Sequence, residues 1–192
     1  MEHIKPLDIH YDYKKLLQVK DAFHRAFPEF TSRHIHISSK DGVTYKPEWK
    51  YKEGEKKGDN NNWRMGGGLE QDKWNKLNEF FKGTYLEEVY NDLDDKFSIC
   101  RGRYMTTDQE RRAYSYHVDL TPRLHIPLQT NEDNIFLVED VLYKMQDLGR
   151  VYWMDTTKKH TAANFSWEER HHLVFMITMK SWMKEQMNAT PT

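Results

Sequence analysis

The stretch that decides the fold is residues 160–174, which read His-Thr-Ala-Ala-Asn-Phe-Ser-Trp-Glu-Glu-Arg-His-His-Leu-Val. Two strand-like runs flank a turn-forming Asn and Ser, and this pattern predicts an antiparallel hairpin centred near Phe165. In such a hairpin His160 lies directly opposite Arg170, with Cβ atoms roughly 5 Å apart on one face. We therefore expect a metal-binding side chain and a cationic side chain to meet on one sheet.

The same strand character extends over the second half of the chain. From Phe97 onward, short runs rich in β-branched and aromatic residues alternate with turn sequences. The predicted strands cover about residues 98–106, 112–119, 123–128, 135–138, 141–145, 150–154, 159–163 and 170–178. A series of short strands of this kind predicts a β-sandwich or jelly roll.

The first part of the chain is predicted to supply helices that pack against this sheet. Asp12 can cap a helix that Pro28 stops, and its apolar residues recur on one face. Helical spacing of apolar residues predicts two more helices, over about 74–81 and 86–93. Residues 31–68 are harder to interpret: residues 33–37 alternate like a strand, and the rest is typical of a loop. That loop is either a lid over the site or a solvated insertion.

Length and composition set the outer limits. A chain of 192 residues can bury one good core, so we expect a single domain. Its parts are a helical front with a variable loop over 1–96, a jelly-roll core over 97–179 and a C-terminal helix or tail over 180–192. The net charge of −1 gives no bias toward nucleic acid or membrane. Neither a long apolar run nor a signal-peptide pattern is found, which favours a cytoplasmic protein.

A candidate metal site begins at His117-Val118-Asp119 and is completed by the distant His160. Residues two apart on a strand share a face, so His117 and Asp119 could coordinate one ion from the same strand. Two histidines and one carboxylate are the ligands of mononuclear non-haem Fe(II) sites that leave positions open for substrate and oxygen. Taken alone, the His-x-Asp triplet could be an accident in a histidine-rich chain.

Further motifs accompany this triplet in a fixed order. Arg123-Leu124-His125-Ile126-Pro127-Leu128 follows it, and the 160–174 stretch then supplies His160, Asn164, Ser166, Arg170 and His172-Leu173 at characteristic spacings. Over about residues 98–178 the sequence resembles the aspartyl/asparaginyl β-hydroxylase-like branch of the 2-oxoglutarate- and Fe(II)-dependent oxygenases. The resemblance implies mainly β structure with a double-stranded β-helix core, the cupin-like form of the jelly roll.

The resemblance also implies roles for six residues. His117, Asp119 and His160 would hold Fe(II), and Arg170 would bind the distal carboxylate of 2-oxoglutarate. Arg123 and His125 would lie beside the metal-bound end of this cosubstrate. Some relatives have glycine at the position of Asp119, so the carboxylate here completes a triad. Nothing before about residue 97 matches the family, and we expect substrate specificity to reside there.

Three functions remain open from the sequence. The resemblance implies a hydroxylase that uses Fe(II), 2-oxoglutarate and O₂ to hydroxylate an amino-acid side chain, free or in a peptide or protein, with release of succinate and CO₂. The alternatives are a cupin-type metal enzyme that does not use 2-oxoglutarate and a non-catalytic β-sandwich binding module. Arg170 discriminates between the first two, because a cupin-type enzyme needs no carboxylate clamp. Substrate identity and oligomeric state do not follow from these residues.

Overall fold

The computed structural model describes residues 2–43 and 68–189 of the chain. Its helices are α1 (Tyr13–Ala26), α2 (Tyr85–Phe97) and α3 (Met179–Ala189), with two short 3₁₀ helices at Gly68–Lys73 and Glu79–Phe81. Its strands are β1 (Ile4–His10), β2 (His34–His36), β3 (Ser38–Ser39), β4 (Lys76–Leu77), β5 (Ile99–Thr107), β6 (Arg123–Gln129), β7 (Asn134–Val138), β8 (Val141–Tyr143), β9 (Arg150–Met154), β10 (His160–Asn164) and β11 (Arg170–Ile177). The prediction of a mainly β fold is confirmed.

Two antiparallel sheets form the framework of the fold. The major sheet has six strands in the order β1-β9-β6-β11-β5-β2, and the minor sheet has three in the order β10-β7-β8. A two-stranded ribbon of β3 and β4 lies beside them. An apolar cluster that includes Ile4, Tyr152 and Met154 of the major sheet and Phe136 and Ala162 of the minor sheet fills the space between the two. The sheets therefore face each other across a shared interior, as in a jelly roll.

The opposite face of the major sheet is covered by helices. Helix α1 begins as predicted at Asp12, whose side chain accepts hydrogen bonds from the backbone N–H groups of Lys14 and Lys15. Leu16 and Phe23 lie on its buried face and join a second apolar cluster with α2 and the central strands. None of the helices in the described residues is both long and apolar enough to cross a membrane.

The N-terminal part departs from the predicted helical front in two places. Residues 4–10 form an unpredicted strand at the edge of the major sheet, where Pro6 is tolerated because edge strands leave backbone groups unpaired. The predicted helix over 74–81 is instead strand β4 and a 3₁₀ turn. The Asn78 side chain accounts for this, since it donates to the His36 carbonyl and accepts from Ser39. The expected strand near 33–37 is present as β2, whereas residues 44–67 of the predicted loop lie outside the described residues.

The predicted hairpin of residues 160–174 is wrong in its pairing. Strand β10 pairs with β7 in the minor sheet, whereas β11 lies in the major sheet between β5 and β6. Both edges of β11 are thus occupied, and no edge is left for β10. The Asn164 side chain shapes the connection, because it accepts from the N–H of Ser166 and donates to the carbonyl of Glu168. The turn therefore sends the chain from one sheet to the other.

Candidate active site

The three candidate metal ligands come together at the edge of the minor sheet. His160 is the first residue of β10, and His117 lies opposite it in an isolated antiparallel bridge. Each donates its backbone N–H to the carbonyl of the other, at 3.0 Å and 2.8 Å. Residues 113–117 thus follow the edge of β10 through isolated bridges and do not form the continuous strand predicted over 112–119. The residue directly opposite His160 in this antiparallel bridge is His117, and not Arg170 as the sequence predicts.

The side chains of this triad are oriented toward one point. The available nitrogen and oxygen atoms of His117, Asp119 and His160 all lie within 4.8 Å of one another. The Nδ1 atoms of the two histidines lie 2.7 Å and 2.9 Å from the carbonyls of Ser115 and Lys158. Because a carbonyl only accepts, each Nδ1 carries a proton, and in the neutral ring the Nε2 lone pair is then available to a metal.

The carboxylate of the triad is ionised. Burial raises the pKa of Asp119, but the contact with His160 and the charge of Arg123 outweigh it and bring this pKa to about 2. The Arg123 Nη2 atom lies 2.5 Å from Asp119 Oδ2, and His160 Nε2 lies 3.4 Å from the same oxygen. Arg123 therefore holds the Asp119 carboxylate in place and stabilises its negative charge. The sequence predicts a different role for Arg123, beside the metal-bound end of the cosubstrate.

A cavity of about 150 Å³ lies next to the triad, between the two sheets. Its walls carry ionisable and aromatic side chains from both sheets and from the 113–117 segment. The lining residues are His34, Arg103, Met105, Tyr114, His117, Arg123, His125, Phe136, Met154, His160, Ala162, Arg170, His172 and Val174. Five of the six predicted site residues line this cavity, and the sixth, Asp119, contacts three of them, His117, Arg123 and His160.

Arg170 is the most unusual side chain of this cavity. It is only 3% exposed, and its guanidinium lies 5.0 Å from the Phe136 ring centre. Its Nε and Nη1 atoms are buried without a hydrogen-bond partner among residues 2–43 and 68–189. Burial lowers the pKa of Arg170 to about 10, so the group stays positive at neutral pH. A buried cation with unused donors is costly unless an anion binds there.

Two neutral histidines lie beside Arg170. His125 and His172 pack edge to face, 5.7 Å apart, and both lie about 5.5 Å from Phe136. Burial, followed by the nearby arginine charges, holds the pKa of each well below its usual range. Neither ring makes a hydrogen bond within the described part of the chain. They therefore add uncharged donors and acceptors to a cavity whose charge comes from arginines.

The sequence interpretation missed several lining residues. His34, Arg103, Tyr114, Phe136 and His172 all contribute to the cavity. His172 belongs to the motif that carries the resemblance, but no ligand role is implied for it. Arg103 could have been noticed only as an arginine within a predicted strand, which is a weak signal because arginines are usually exposed.

Comparisons with known proteins agree with this geometry. The family model for aspartyl/asparaginyl beta-hydroxylase matches residues 109–179, a segment that contains all six predicted site residues. The resemblance found in the sequence is therefore confirmed over this segment. No curated protein matches the chain.

The fold is shared with a solved oxygenase. The structure of a prolyl hydroxylase in complex with a hypoxia inducible factor oxygen degradation domain peptide fragment from Trichoplax adhaerens is similar, with a TM-score of 0.50. The match covers 98% of this chain and 88% of that chain at 11% sequence identity. The predicted jelly-roll fold is confirmed by this similarity. Family match and fold together point to a 2-oxoglutarate/Fe(II) oxygenase, with His117, Asp119 and His160 as its candidate metal site.

Proposed function

We propose that this protein is an Fe(II)- and 2-oxoglutarate-dependent hydroxylase of an amino-acid side chain, free or in a peptide or protein, that releases succinate and CO₂. One observation carries the proposal most strongly. The buried Arg170 guanidinium, two of whose nitrogen atoms have no hydrogen-bond partner among the residues that the structure describes, shares a cavity with a His-Asp-His cluster. A metal ligand set beside a carboxylate-binding cation matches the two ends of 2-oxoglutarate.

The donor set fits ferrous iron. Two imidazole nitrogens and one carboxylate oxygen are ligands that suit non-haem Fe(II) and leave coordination positions open. His117 Nε2, His160 Nε2 and an Asp119 oxygen would hold the ion, since both Nδ1 atoms are engaged by carbonyls. When bound, Fe(II) and 2-oxoglutarate together supply the activation of O₂ needed to hydroxylate a C–H bond, with 2-oxoglutarate converted to succinate and CO₂.

The other side chains position the cosubstrate and exclude water. In our proposal Arg170 binds the distal carboxylate through its planar fork, and Arg123 and His125 lie beside the metal-bound end. The contact with His160 and the charge of Arg123 together keep Asp119 ionised at neutral pH. A cavity of about 150 Å³ has room for one small molecule. The cosubstrate would therefore occupy most of it, and the target would approach from the side of the triad.

Arg170 also separates the proposal from its alternatives. A cupin-type enzyme that does not use an oxo-acid has no need of a buried guanidinium whose donors find no acceptor in the described part of the chain. A binding module without catalysis has no need of three metal-ligand atoms converging within 4.8 Å. The similar prolyl hydroxylase structure contains a peptide fragment, which supports a peptide or protein as the target of this chain. The cytoplasmic location expected from the sequence stays a prediction.

Succinate release tests the proposal directly. The full chain would be incubated with Fe(II), ascorbate, O₂ and 2-oxoglutarate, with and without a panel of amino acids and peptides. We expect succinate formation that requires Fe(II), increases with one class of target and disappears when a chelator is added. Stoichiometric Fe(II) binding without any 2-oxoglutarate binding or consumption would move the cupin-type alternative ahead. A chain that binds no Fe(II), Mn(II) or Ni(II) would favour the binding module.

A further inference from the structure

The minor sheet ends in an edge strand with exposed apolar side chains. Strand β8 is last in the order β10-β7-β8, so only one of its edges is paired among the residues that the structure describes. Its side chains Val141 and Leu142 are 46% and 63% exposed. An exposed apolar edge strand is a template on which another chain can add a strand. The outer edge of β8 is therefore a candidate interaction surface.

The backbone of Leu142 faces this outer edge. Residues 139–140 form the turn of the β7–β8 hairpin, and Val138 pairs with Val141 directly beside that turn. A two-residue turn is closed by a hydrogen-bonded pair, and hydrogen-bonded and non-hydrogen-bonded pairs then alternate along antiparallel strands. Leu142, opposite Leu137, consequently directs its N–H and C=O groups away from β7. One residue at the middle of the edge offers both a donor and an acceptor to a neighbouring strand.

Opposite charges flank the strand on its two sides. Asp140 precedes β8 and Lys144 follows it, and both side chains are exposed. Asp140 forms no ion pair with any residue in the described part of the chain. The Lys144 Nζ atom lies 2.7 Å from Oε2 of the exposed Glu132. In an antiparallel pair of two β8 strands with Leu142 opposite Leu142, Asp140 of each copy lies opposite Lys144 of the other.

The neighbouring registers lack this match. With Val141 opposite Val141, Asp140 would lie opposite Leu142, and with Tyr143 opposite Tyr143, Lys144 would lie opposite Leu142. The register centred on Leu142 also places Val141 of each copy opposite Tyr143 of the other. Aromatic residues opposite β-branched residues, and opposite charges across strands, are favourable cross-strand pairs. Backbone direction, charge and side-chain pairing thus favour the same register.

We propose that two copies of this chain associate through β8, antiparallel and with Leu142 opposite Leu142, so that their minor sheets form one six-stranded sheet. Each copy presents the same edge to the other, and the pairing uses up that edge, so the assembly closes at two copies. The contact involves about five residues of each chain, which is below the size of a permanent interface. We therefore expect a weak dimer with a Kd on the order of 100 µM.

The arrangement leaves both candidate active sites open. His160 belongs to β10, which is separated from β8 by β7. In the joined sheet the two β10 strands are five strand spacings apart, which corresponds to roughly 24 Å. Association therefore does not cover the side of the triad from which a target would approach. The inference is independent of the proposed function, because neither Asp140 nor Lys144 lines the cavity.

Charge reversal tests the register. Sedimentation equilibrium of the full chain, from about 10 µM to about 1 mM, gives the Kd of the wild type. Asp140→Lys alone, or Lys144→Asp alone, places like charges opposite each other at both ends of the paired strands. Each should weaken self-association on the order of 10-fold. An equimolar mixture of the two variants should associate at least as well as the wild type, because both like-charge pairs become opposite-charge pairs.

Two controls separate this effect from a change of net charge. The double variant Asp140→Lys/Lys144→Asp keeps the net charge and should associate like the wild type. Asp95→Lys on α2 and Lys14→Asp on α1 change exposed residues by the same charges on helices outside the minor sheet. A mixture of these two variants should associate no more strongly than the wild type.

The outcomes are decisive in both directions. A wild-type chain that stays monomeric at about 1 mM would overturn the inference. A dimer that the reversals at 140 and 144 leave unchanged would also overturn it, because its interface would lie elsewhere. Circular dichroism checks folding, and Mn(II) binding should be unchanged in all variants. If a single variant does not fold, hydrogen exchange of wild type decides: the Leu142 amide should exchange more slowly as the protein concentration rises, and a rate independent of concentration would contradict the pairing.

Discussion

The two sheets that enclose the cavity differ in burial and in the chemistry they carry. Every residue of β11, at the centre of the major sheet, is buried, and this strand supplies Arg170 and His172. The minor sheet is smaller, and its edge strand β8 exposes Val141 and Leu142. It supplies His160, and a segment without regular structure supplies the half-buried His117. The candidate metal site therefore lies on the open side of the cavity, at the edge of the minor sheet, and the candidate cosubstrate site on the buried side, which the major sheet forms.

Metal binding and carboxylate binding need different surroundings, and the two sheets provide one each. A metal centre that receives O₂ and a target must be reachable, so ligands at a sheet edge are suitable. A carboxylate is bound strongly by a guanidinium only where water is excluded, and the most buried strand supplies that condition. Substitutions on the two sides should consequently have separable effects on metal affinity, cosubstrate affinity and stability.

The largest effect is expected at the histidines of the open side. His117→Ala or His160→Ala removes one of three protein ligands, and we expect metal binding and turnover to be abolished while the domain stays folded. Titration with Mn(II), succinate release and circular dichroism measure the three properties. Iron occupancy and activity equal to wild type in either variant would contradict the assignment of the triad.

The carboxylate of the triad should show a smaller loss. Asp119→Ala removes the anionic ligand and opens a further coordination position, so we expect weaker iron retention and severely reduced hydroxylation. It also leaves the Arg123 guanidinium without its ion-pair partner, which should lower the melting temperature. Iron content after dialysis and succinate release are the measurements. A metal-bound structure with Asp119 turned away from the ion would exclude this role.

Substitution of Arg170 tests the candidate cosubstrate site on the buried side of the cavity. Removing a charged pair typically costs a few kcal/mol, so Arg170→Ala should raise the KM for 2-oxoglutarate on the order of 10²-fold. Metal affinity should hardly change, and Arg170→Lys should rescue only partly. Arg112→Ala is the matched control, because Arg112 stacks on Trp167 and does not line the cavity. An unchanged KM for 2-oxoglutarate in Arg170→Ala would contradict the proposal that Arg170 binds the distal carboxylate of the cosubstrate.

The smallest effect concerns packing of the two sheets. A Cβ at Gly102 of β5 would lie 2.6 Å from Ile37 Cγ1 and 2.8 Å from the Phe175 ring, so Gly102→Ala should destabilise the protein by about 1–3 kcal/mol. Leu142→Ser on the exposed edge of the minor sheet should cost about 0.5 kcal/mol or less. Urea unfolding of both variants measures the difference. Equal costs would show that the two positions do not differ in how tightly they are packed.

The sequence predicted which residues come together better than it predicted how the strands pair. The candidate ligands were found because short motifs carry them, and local patterns such as the Asp12 cap located α1 and most strands of the second half. Strand partners were not predictable in the same way. A hairpin between His160 and Arg170 is the nearest arrangement in sequence, but pairing of β11 with both β5 and β6 depends on residues far along the chain.

The missed cavity residues have the same physical cause. His34 and Arg103 meet only because β2 pairs with β5, across about seventy residues of sequence. A buried arginine has no local signature, since its burial is decided by what packs above it. Motifs made of residues close in sequence can therefore be recognised from a single sequence. A group of residues that strand pairing brings together can be recognised only once the fold is known.

The most direct test of the divided site is calorimetric titration of 2-oxoglutarate into the full chain, with and without Mn(II). We predict one 2-oxoglutarate bound per chain, with affinity that depends on the metal and is lost in Arg170→Ala. This result requires both sides of the cavity to contribute to one ligand. A chain that binds Mn(II) stoichiometrically but does not bind 2-oxoglutarate, or that binds it equally well without metal and without Arg170, would contradict the account.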